Sequence, residues 1–291
     1  MTKEIMLYDY NQNWCFSIDK IKIILGKERY RFFRALKHQF LKEEKSEYET
    51  SIDSELSIKV NNQRFDSKNY KLYLVDLNSN IDDEVKLSSK SMFTEFLESK
   101  LKAVDYEDEF IMLNQSIDIL NQSTLEDISI TFNDVKIIFE LPKFSFKTLI
   151  KSLTSSQLKN DVFSLDYDLS LEEKLELYLN VIESIALENK TRHHTLVLVV
   201  DKLPKSIYNR IEQSLPDNLN IILFAHNFEY DVVYKDIFII GNGSLDLSND
   251  EDIYNHLVID KGLAVDLDSV INTLIKICSP LAETSKLLDL V

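Results

Sequence analysis

The sequence predicts an α/β fold whose parallel sheet is built from both ends of the chain, with a largely helical insertion between them. Three observations predict it. Ile21-Lys22-Ile23-Ile24-Leu25 reads as a buried strand that turns at Gly26 into an amphipathic helix, Arg29 to Lys42. Thr195-Leu196-Val197-Leu198-Val199-Val200-Asp201 and Leu219 to His226 are continuous apolar runs joined by a proline-started helix, Pro204 to Leu215. Such runs alternating with helices are the pattern of parallel strands covered on both faces. Only four glycines and four prolines punctuate the 291 residues, so long regular elements should dominate between these ends.

Taken in order, the first strand and helix sit where a nucleotide-binding head keeps its phosphate loop. That loop needs G-x-x-x-x-G-K-[ST], so that bare amides cradle phosphates, Lys reaches the terminal one and a hydroxyl holds magnesium. Here the turn is Gly26-Lys27-Glu28-Arg29-Tyr30-Arg31, with one glycine, no Gly-Lys-Ser/Thr and a bulky aromatic, Tyr30. The head is therefore predicted as a degenerate phosphate-loop-ATPase-like sheet. Leu72-Tyr73-Leu74-Val75-Asp76 reads as its second strand. Asp82 to Val104 and Glu107 to Gln122 read as helices, the first entered through acids suited to a helix N-terminus.

Ile128 to Phe132 and part of Val135 to Leu141 alternate like a small hairpin around Asn133-Asp134, without the preferred Asn-Gly turn. Phe144 to Leu153 reads as a helix with Phe146, Leu149, Ile150 and Leu153 on one side. Leu171 to Asn189 is a longer helix, capped by Ser170 with Glu173 three residues on. Ile237 to Ile240 closes the series as a further strand. The division expected is head 1–78, arm 79–189, head 190–244 and a C-terminal extension, 245–291, with Val270, Leu274 and Ile277 on one helical side.

Composition bounds the function. No stretch approaches the roughly 18–20 apolar residues of a membrane helix, and Met1-Thr2-Lys3-Glu4 opens no signal-peptide hydrophobic region. Cys15 and Cys278 suggest neither a disulfide framework nor a zinc site. The expectation is a soluble cytoplasmic protein. Its net charge of −16, from 49 acids against 33 bases, argues against nucleic acid, because DNA binding draws on counterion release by cations. Local field counts for more than the total, however. Lys27, Arg29, Arg31, Arg34, Lys37 and Lys42 stand against Glu28 alone, and Lys143, Lys147, Lys151 and Lys159 span a stretch with no acid. Acid gathers elsewhere, as at Asp246, Asp250, Glu251 and Asp252.

Enzyme signatures are absent: no G-x-S-x-G, no H-E-x-x-H and no local Cys-His pairing. Asp201 and His226 end neighbouring strands, as the magnesium-side acid and sensing residue of an ATPase do, yet without the phosphate lysine they read as strand-end polar residues. His193-His194 reads as two solvated residues before a strand. Lys143, Lys147 and Lys151 fall four apart, so on a helix they form one stripe opposite much of its apolar side. A solvated face is the bland alternative for that stripe. For the Arg29–Lys37 helix the alternative is a sheet-covering helix with long side chains over apolar surface. Glu126, Asp127, Asp134 and Glu140 could offer oxygens to calcium but lack EF-hand spacing.

The order of these pieces resembles the DNA-end-binding ring proteins of type II-A CRISPR adaptation, the Csn-two family. The resemblance runs through Ile21 to Phe40, then Lys71-Leu72-Tyr73-Leu74-Val75-Asp76 and a long helix to Leu101. It continues with Phe146-Lys147-Thr148-Leu149-Ile150-Lys151-Ser152-Leu153, the helix Leu171 to Asn189, and the closing strand-helix-strand from Leu196 to Phe224 that ends near Ile240, covering roughly residues 18 to 241. It implies a non-enzymatic homotetrameric ring that threads onto double-stranded DNA ends through a lysine-lined hole. Calcium would stabilise it, and the integrase proteins and the type II-A effector nuclease would be its partners. Carried onto this chain, the DNA contacts are Lys143, Lys147 and Lys151, helped by Lys86, Lys90, Lys100 and Lys102. Leu141-Pro142-Lys143 interrupts the family's acidic calcium stretch, and Glu140 is its best surviving ligand. Two rival readings are a nucleotide-dependent switch with an unusual phosphate site near Gly26 and Asp201, and a scaffold that docks another protein through Arg29–Lys37 without DNA.

Overall fold

In the computed structural model the described residues are 3–9, 12–26, 28–44, 57–61, 63–64, 69–77, 91–101, 103–122, 129–132, 135–138, 141–153, 157–159, 162–164, 169–227, 232–241 and 243–256. The chain divides into two compact units, Met1–Ser79 with Leu169–Val291, and Asn80–Asp168.

The first unit is an α/β domain around a six-stranded sheet. Its parallel strands are β3 (Ile21–Leu25), β6 (Tyr70–Asp76), β11 (His193–Lys202), β12 (Leu219–Asn227) and β13 (Ile237–Ile240), and β14 (Ser244–Asp246) adds an antiparallel edge. The order is β14-β13-β3-β12-β11-β6. The strand that leads into the expected phosphate-loop position is thus central, between β12 and β13. Register follows the apolar runs, with Leu198 opposite Leu223 and Val75, and Ile24 opposite Phe224 and Phe238. Because side chains alternate across a sheet, Ile24, Leu72, Val197, Ile222, Phe224, Phe238 and Ile240 share one face and one core.

That core is closed by elements the sequence reading passed over. β1 (Lys3–Asp9) and β2 (Gln12–Ile18) form a hairpin, with Leu7 opposite Trp14. They join β4 (Ser57–Val60) and β5 (Gln63–Arg64) in an antiparallel sheet ordered β2-β1-β4-β5. Trp14 and Phe16 from this sheet and Phe32 from α1 (Arg29–Glu44) fill the space above the parallel sheet. The rings of Trp14 and Phe32 meet edge-on at 5.3 Å and those of Phe16 and Phe238 lie 5.0 Å apart. The opposite sheet face is covered along β11 by α5 (Leu171–Glu188), which buries Leu175, Leu179, Ile182 and Ile185. The expected capping box is present: Ser170 accepts from the Glu173 amide and the Glu173 carboxylate accepts from the Ser170 amide at 2.8 Å. Arg210, on α6 (Lys205–Ser214), donates to Glu183 and Asn180 at 2.8 Å and also to Glu176, tying α6 to α5.

Four expectations for this unit are corrected. The helix Leu171–Glu188, assigned to the arm, belongs to the first unit. His193 and His194 are not solvated residues before a strand. They open β11, because pairing with β6 begins at Tyr70; His194 is fully buried with Nδ1 3.1 Å from the Tyr73 hydroxyl, and His193 stacks on Tyr70. Leu245 does not begin a separate extension, since β14 is hydrogen-bonded into the head sheet. Asp246 is not part of an acidic surface. It is buried at 8% exposure and pairs with Lys22, itself 1% exposed, at 2.8 Å. It also accepts from the Ser17 amide at 2.6 Å and the Ser248 amide at 3.0 Å. A buried pair needs such further hydrogen bonds to offset its desolvation. Burial holds the Lys22 ammonium below its usual range, and Asp246 opposes that shift. The helix expected near Val270 lies outside the described residues, as do the side chains of Asp201 and His226.

The second unit holds α2 (Met92–Lys100), a 3-10 turn (Ala103–Tyr106), α3 (Glu107–Leu120), α4 (Phe146–Ser152) and two hairpins, β7–β8 (Ser129–Phe132 and Val135–Ile138) and β9–β10 (Gln157–Lys159 and Val162–Ser164). β7 and β8 pair as expected, Phe132 opposite Val135. The helix expected to run unbroken from Asp82 to Val104 does not. Ser91 is extended, with φ −68 and ψ 137, and its side chain caps α2 by accepting from the Phe93 amide. No described helix is long and apolar enough to cross a membrane.

Candidate nucleic-acid interface

The lysine-bearing segment 141–152 is held to α3 by two asparagines. Asn114 donates to the Phe144 carbonyl at 3.0 Å and accepts from the Phe144 amide at 2.7 Å. Asn121 does the same for Leu141, at 3.0 and 2.8 Å. The spacing explains why both fit. Seven helical residues rise about 10.5 Å, and three residues of extended chain can span about 10 Å, so side chains two turns apart, Asn114 within α3 and Asn121 at its C-cap, can reach backbone three residues apart. Pro142 sits between the two anchors, where its missing N–H removes no hydrogen bond from either.

This clamp sets the position of Lys143. Asp118, one turn beyond Asn114, accepts from its ammonium at 3.2 Å; the lysine remains 70% exposed, so the pair adds little stability. Phe144 packs on Phe110 with ring centroids 6.2 Å apart, and Phe146 meets Phe110 edge-on at 6.3 Å. An open groove of about 620 Å³ runs along this seam, lined in part by Phe110, Ile111, Asn114, Asp118 and Lys143.

Ser145 then starts α4, its hydroxyl accepting from the Thr148 amide at 3.2 Å. Ile150 is fully buried, and α4 packs against α2. Lys147 and Lys151 are exposed one turn apart. The expected single helical stripe is corrected in one respect: the helix begins at Phe146, so Lys143 precedes it on the clamped non-helical segment. All three lysines nonetheless belong to one continuous anchored stretch. Lys100, also exposed, ends α2 where the helix dipole favours a cation. Lys86, Lys90 and Lys102 lie outside the described residues. So do Glu126, Asp127, Asp134 and Glu140; among the described residues no group of three or more His, Cys, Asp or Glu could hold a metal ion.

The position of the missing phosphate loop is occupied by the protein's own backbone. Gly26 has φ +110, and a Cβ there would lie 2.0 Å from the Ile240 carbonyl oxygen. The Glu28 amide donates to that same carbonyl at 3.2 Å, and the Arg29 amide donates to the Gly26 carbonyl at 3.4 Å. The glycine thus serves close packing of the β3–α1 turn on the end of β13, and amides that a phosphate loop aims at its ligand are aimed at protein oxygens.

Asn114 and Asn121 are the residues of this candidate interface that sequence reasoning missed. Their signal was two amides seven apart on a helix otherwise rich in Ile, Leu and Met, with a Leu-Pro-Lys-Phe segment to hold.

No family model matches this chain, and neither does any curated protein. A solved structure does: the crystal structure of Stu0660 of Streptococcus thermophilus, with a TM-score of 0.63 and 14% sequence identity over 96% of this chain and 86% of that one. The likeness is one of fold and spans both units.

Proposed function

We propose that this protein is a non-enzymatic clamp on double-stranded DNA, of the Csn-two type in CRISPR spacer acquisition, that threads onto DNA ends as a ring of its own copies. The observation that carries the reading is the anchored lysine segment. Lys147 and Lys151 project from a capped helix with a buried underside, and Lys143 from backbone clamped by Asn114 and Asn121. Cations on rigid, sequence-neutral scaffolding suit phosphates, which set affinity without reading bases. The closed turn at Gly26 favours this reading over a nucleotide switch. Self-association is supported by α3, which exposes Ile111, Met112 and Ile119 at 50, 68 and 63%, and clustered exposed apolar side chains mark association surfaces. Calcium, the integrase and effector-nuclease partners and a cytoplasmic location belong to the same proposal and rest on the family resemblance.

The test is Lys143→Glu/Lys147→Glu/Lys151→Glu, titrated against a linear duplex at several salt concentrations. With six to ten phosphate contacts, wild-type affinity should fall by roughly 10³–10⁵ between about 50 and 200 mM salt. If all three lysines contact phosphate, the variant's salt slope should be smaller by about 2.7, with its assembly state unchanged in sedimentation. Wild-type affinity and slope in the variant would remove the segment from the DNA contact.

A further inference from the structure

The first unit carries a second positive face that the lysine segment does not use. α1 buries Phe32, Ala35 and Leu36 at 0, 7 and 1% exposure, and Phe32 is wedged among Trp14, Phe224 and Phe238. The helix cannot roll without breaking that cluster. At 100° per residue, the side turned away from the core is the line Tyr30, Arg34 and Lys37, all exposed, with Tyr30 at 54%. The Arg29 guanidinium lies 5.1 Å from the centre of the Tyr30 ring, which brings a further cation to the same aromatic side chain.

Two features set this face apart from ordinary solvated surface. In a chain with 49 acids, residues 29–42 contain none. The charge also runs against the helix dipole: the first turn holds no acid and two arginines, while Glu43 and Glu44 come at the end. Local choices that oppose helix stability are expected where another requirement prevails. Cations on a rigid element match the phosphates of a nucleic-acid backbone, to which an exposed tyrosine hydroxyl can also donate.

We infer that the outer face of α1, through Tyr30, Arg34 and Lys37, is a second contact for the phosphate backbone of double-stranded DNA, on the unit that lacks the lysine segment. The inference rests on the DNA-clamp reading above and assigns a part of that contact to the α/β head. Among the described residues Arg34 and Lys37 make no ion pair.

The experiment uses the full chain in three forms: wild type, Arg34→Glu/Lys37→Glu, and Lys147→Glu/Lys151→Glu. Each is titrated into a fluorescent linear duplex by anisotropy over a range of salt. Because both side chains are solvent-facing, circular dichroism and the melting curve should match wild type; Arg34→Gln/Lys37→Gln serves if they do not. The expected result is a salt slope about 1.8 smaller for the α1 variant, two contacts at about 0.9 each, with weaker binding at every salt concentration. An α1 variant that binds like wild type, while Lys147→Glu/Lys151→Glu binds weakly, overturns this inference and leaves the clamp reading standing. Absence of DNA binding by wild type overturns both.

Discussion

Gly26→Ala isolates what the β3–α1 turn is for. The added Cβ meets the Ile240 carbonyl oxygen at 2.0 Å and its carbon at 2.7 Å, so backbone, not a flexible side chain, must give way. A residue with a Cβ held near φ +110 costs about 1–3 kcal/mol. Overpacking against β13, whose four residues are all buried, adds about 1–3 kcal/mol. Displacing Ile240 also weakens its bond from the Glu28 amide, about 0.5–1.5 kcal/mol. The sum, roughly 2.5–7.5 kcal/mol, is a large part of the 5–15 kcal/mol that stabilises a typical domain. Urea unfolding followed by far-UV circular dichroism should show a markedly lower midpoint, and wild type should give no heat with ATP and magnesium in calorimetry. A glycine kept for phosphate approach would behave in the opposite way. The variant would unfold within about 1 kcal/mol of wild type and would lose an ATP-binding isotherm that wild type displays. That pair of results would refute the packing argument.

Two further perturbations test the positioning and the electrostatics. Asn114→Ala leaves the Phe144 amide and carbonyl without their partner, at about 1–3 kcal/mol. It should weaken duplex binding although no charge is removed, and equal affinity would mean that the clamp does not position Lys143. Asp236 accepts from the Tyr208 hydroxyl at 2.8 Å, with Glu212, Asp19 and Lys22 also acting on it, and burial raises its carboxyl to about 6. A raised folded-state value means that the ionised acid is disfavoured in the fold, so stability is lower above about pH 6 and is regained as pH falls toward the ordinary carboxylate range. Asp236→Asn should therefore raise the melting temperature at pH 7.5 and remove about 1–3 kcal/mol of the gain on acidification to pH 5; identical pH profiles would contradict the burial assignment.

The parallel sheet was legible because its strands are buried on both faces and read as unbroken apolar runs, with the helices between them marked by Pro204 and the Ser170–Glu173 box. The antiparallel sheet was harder to read. Its alternation is present in Ile5 and Leu7 and in Trp14, Phe16 and Ile18, but the hairpin lacks an Asn-Gly turn and the partner β4 lies some 50 residues away from β1. Lys22 within an apolar strand was the visible half of a buried ion pair, and only the fold brings Asp246 to it from 224 residues on. Of the interface, charge segregation revealed the cations, while helical periodicity placed Lys143 one turn too far into α4, because Ser145 caps the helix after it. The β3–α1 turn was recognised as lacking a phosphate loop; that Gly26 is needed instead for contact with Ile240 depends on β13 and became visible only in three dimensions.

The central claim is most directly tested by comparing a linear duplex with covalently closed circular DNA of the same sequence in a gel shift, with calcium and with chelator. A ring that threads over ends should bind the linear form alone, and chelation should weaken it if calcium supports assembly. Equal binding to the closed circle would contradict threading and leave an open groove, and binding to neither form would contradict the DNA clamp itself.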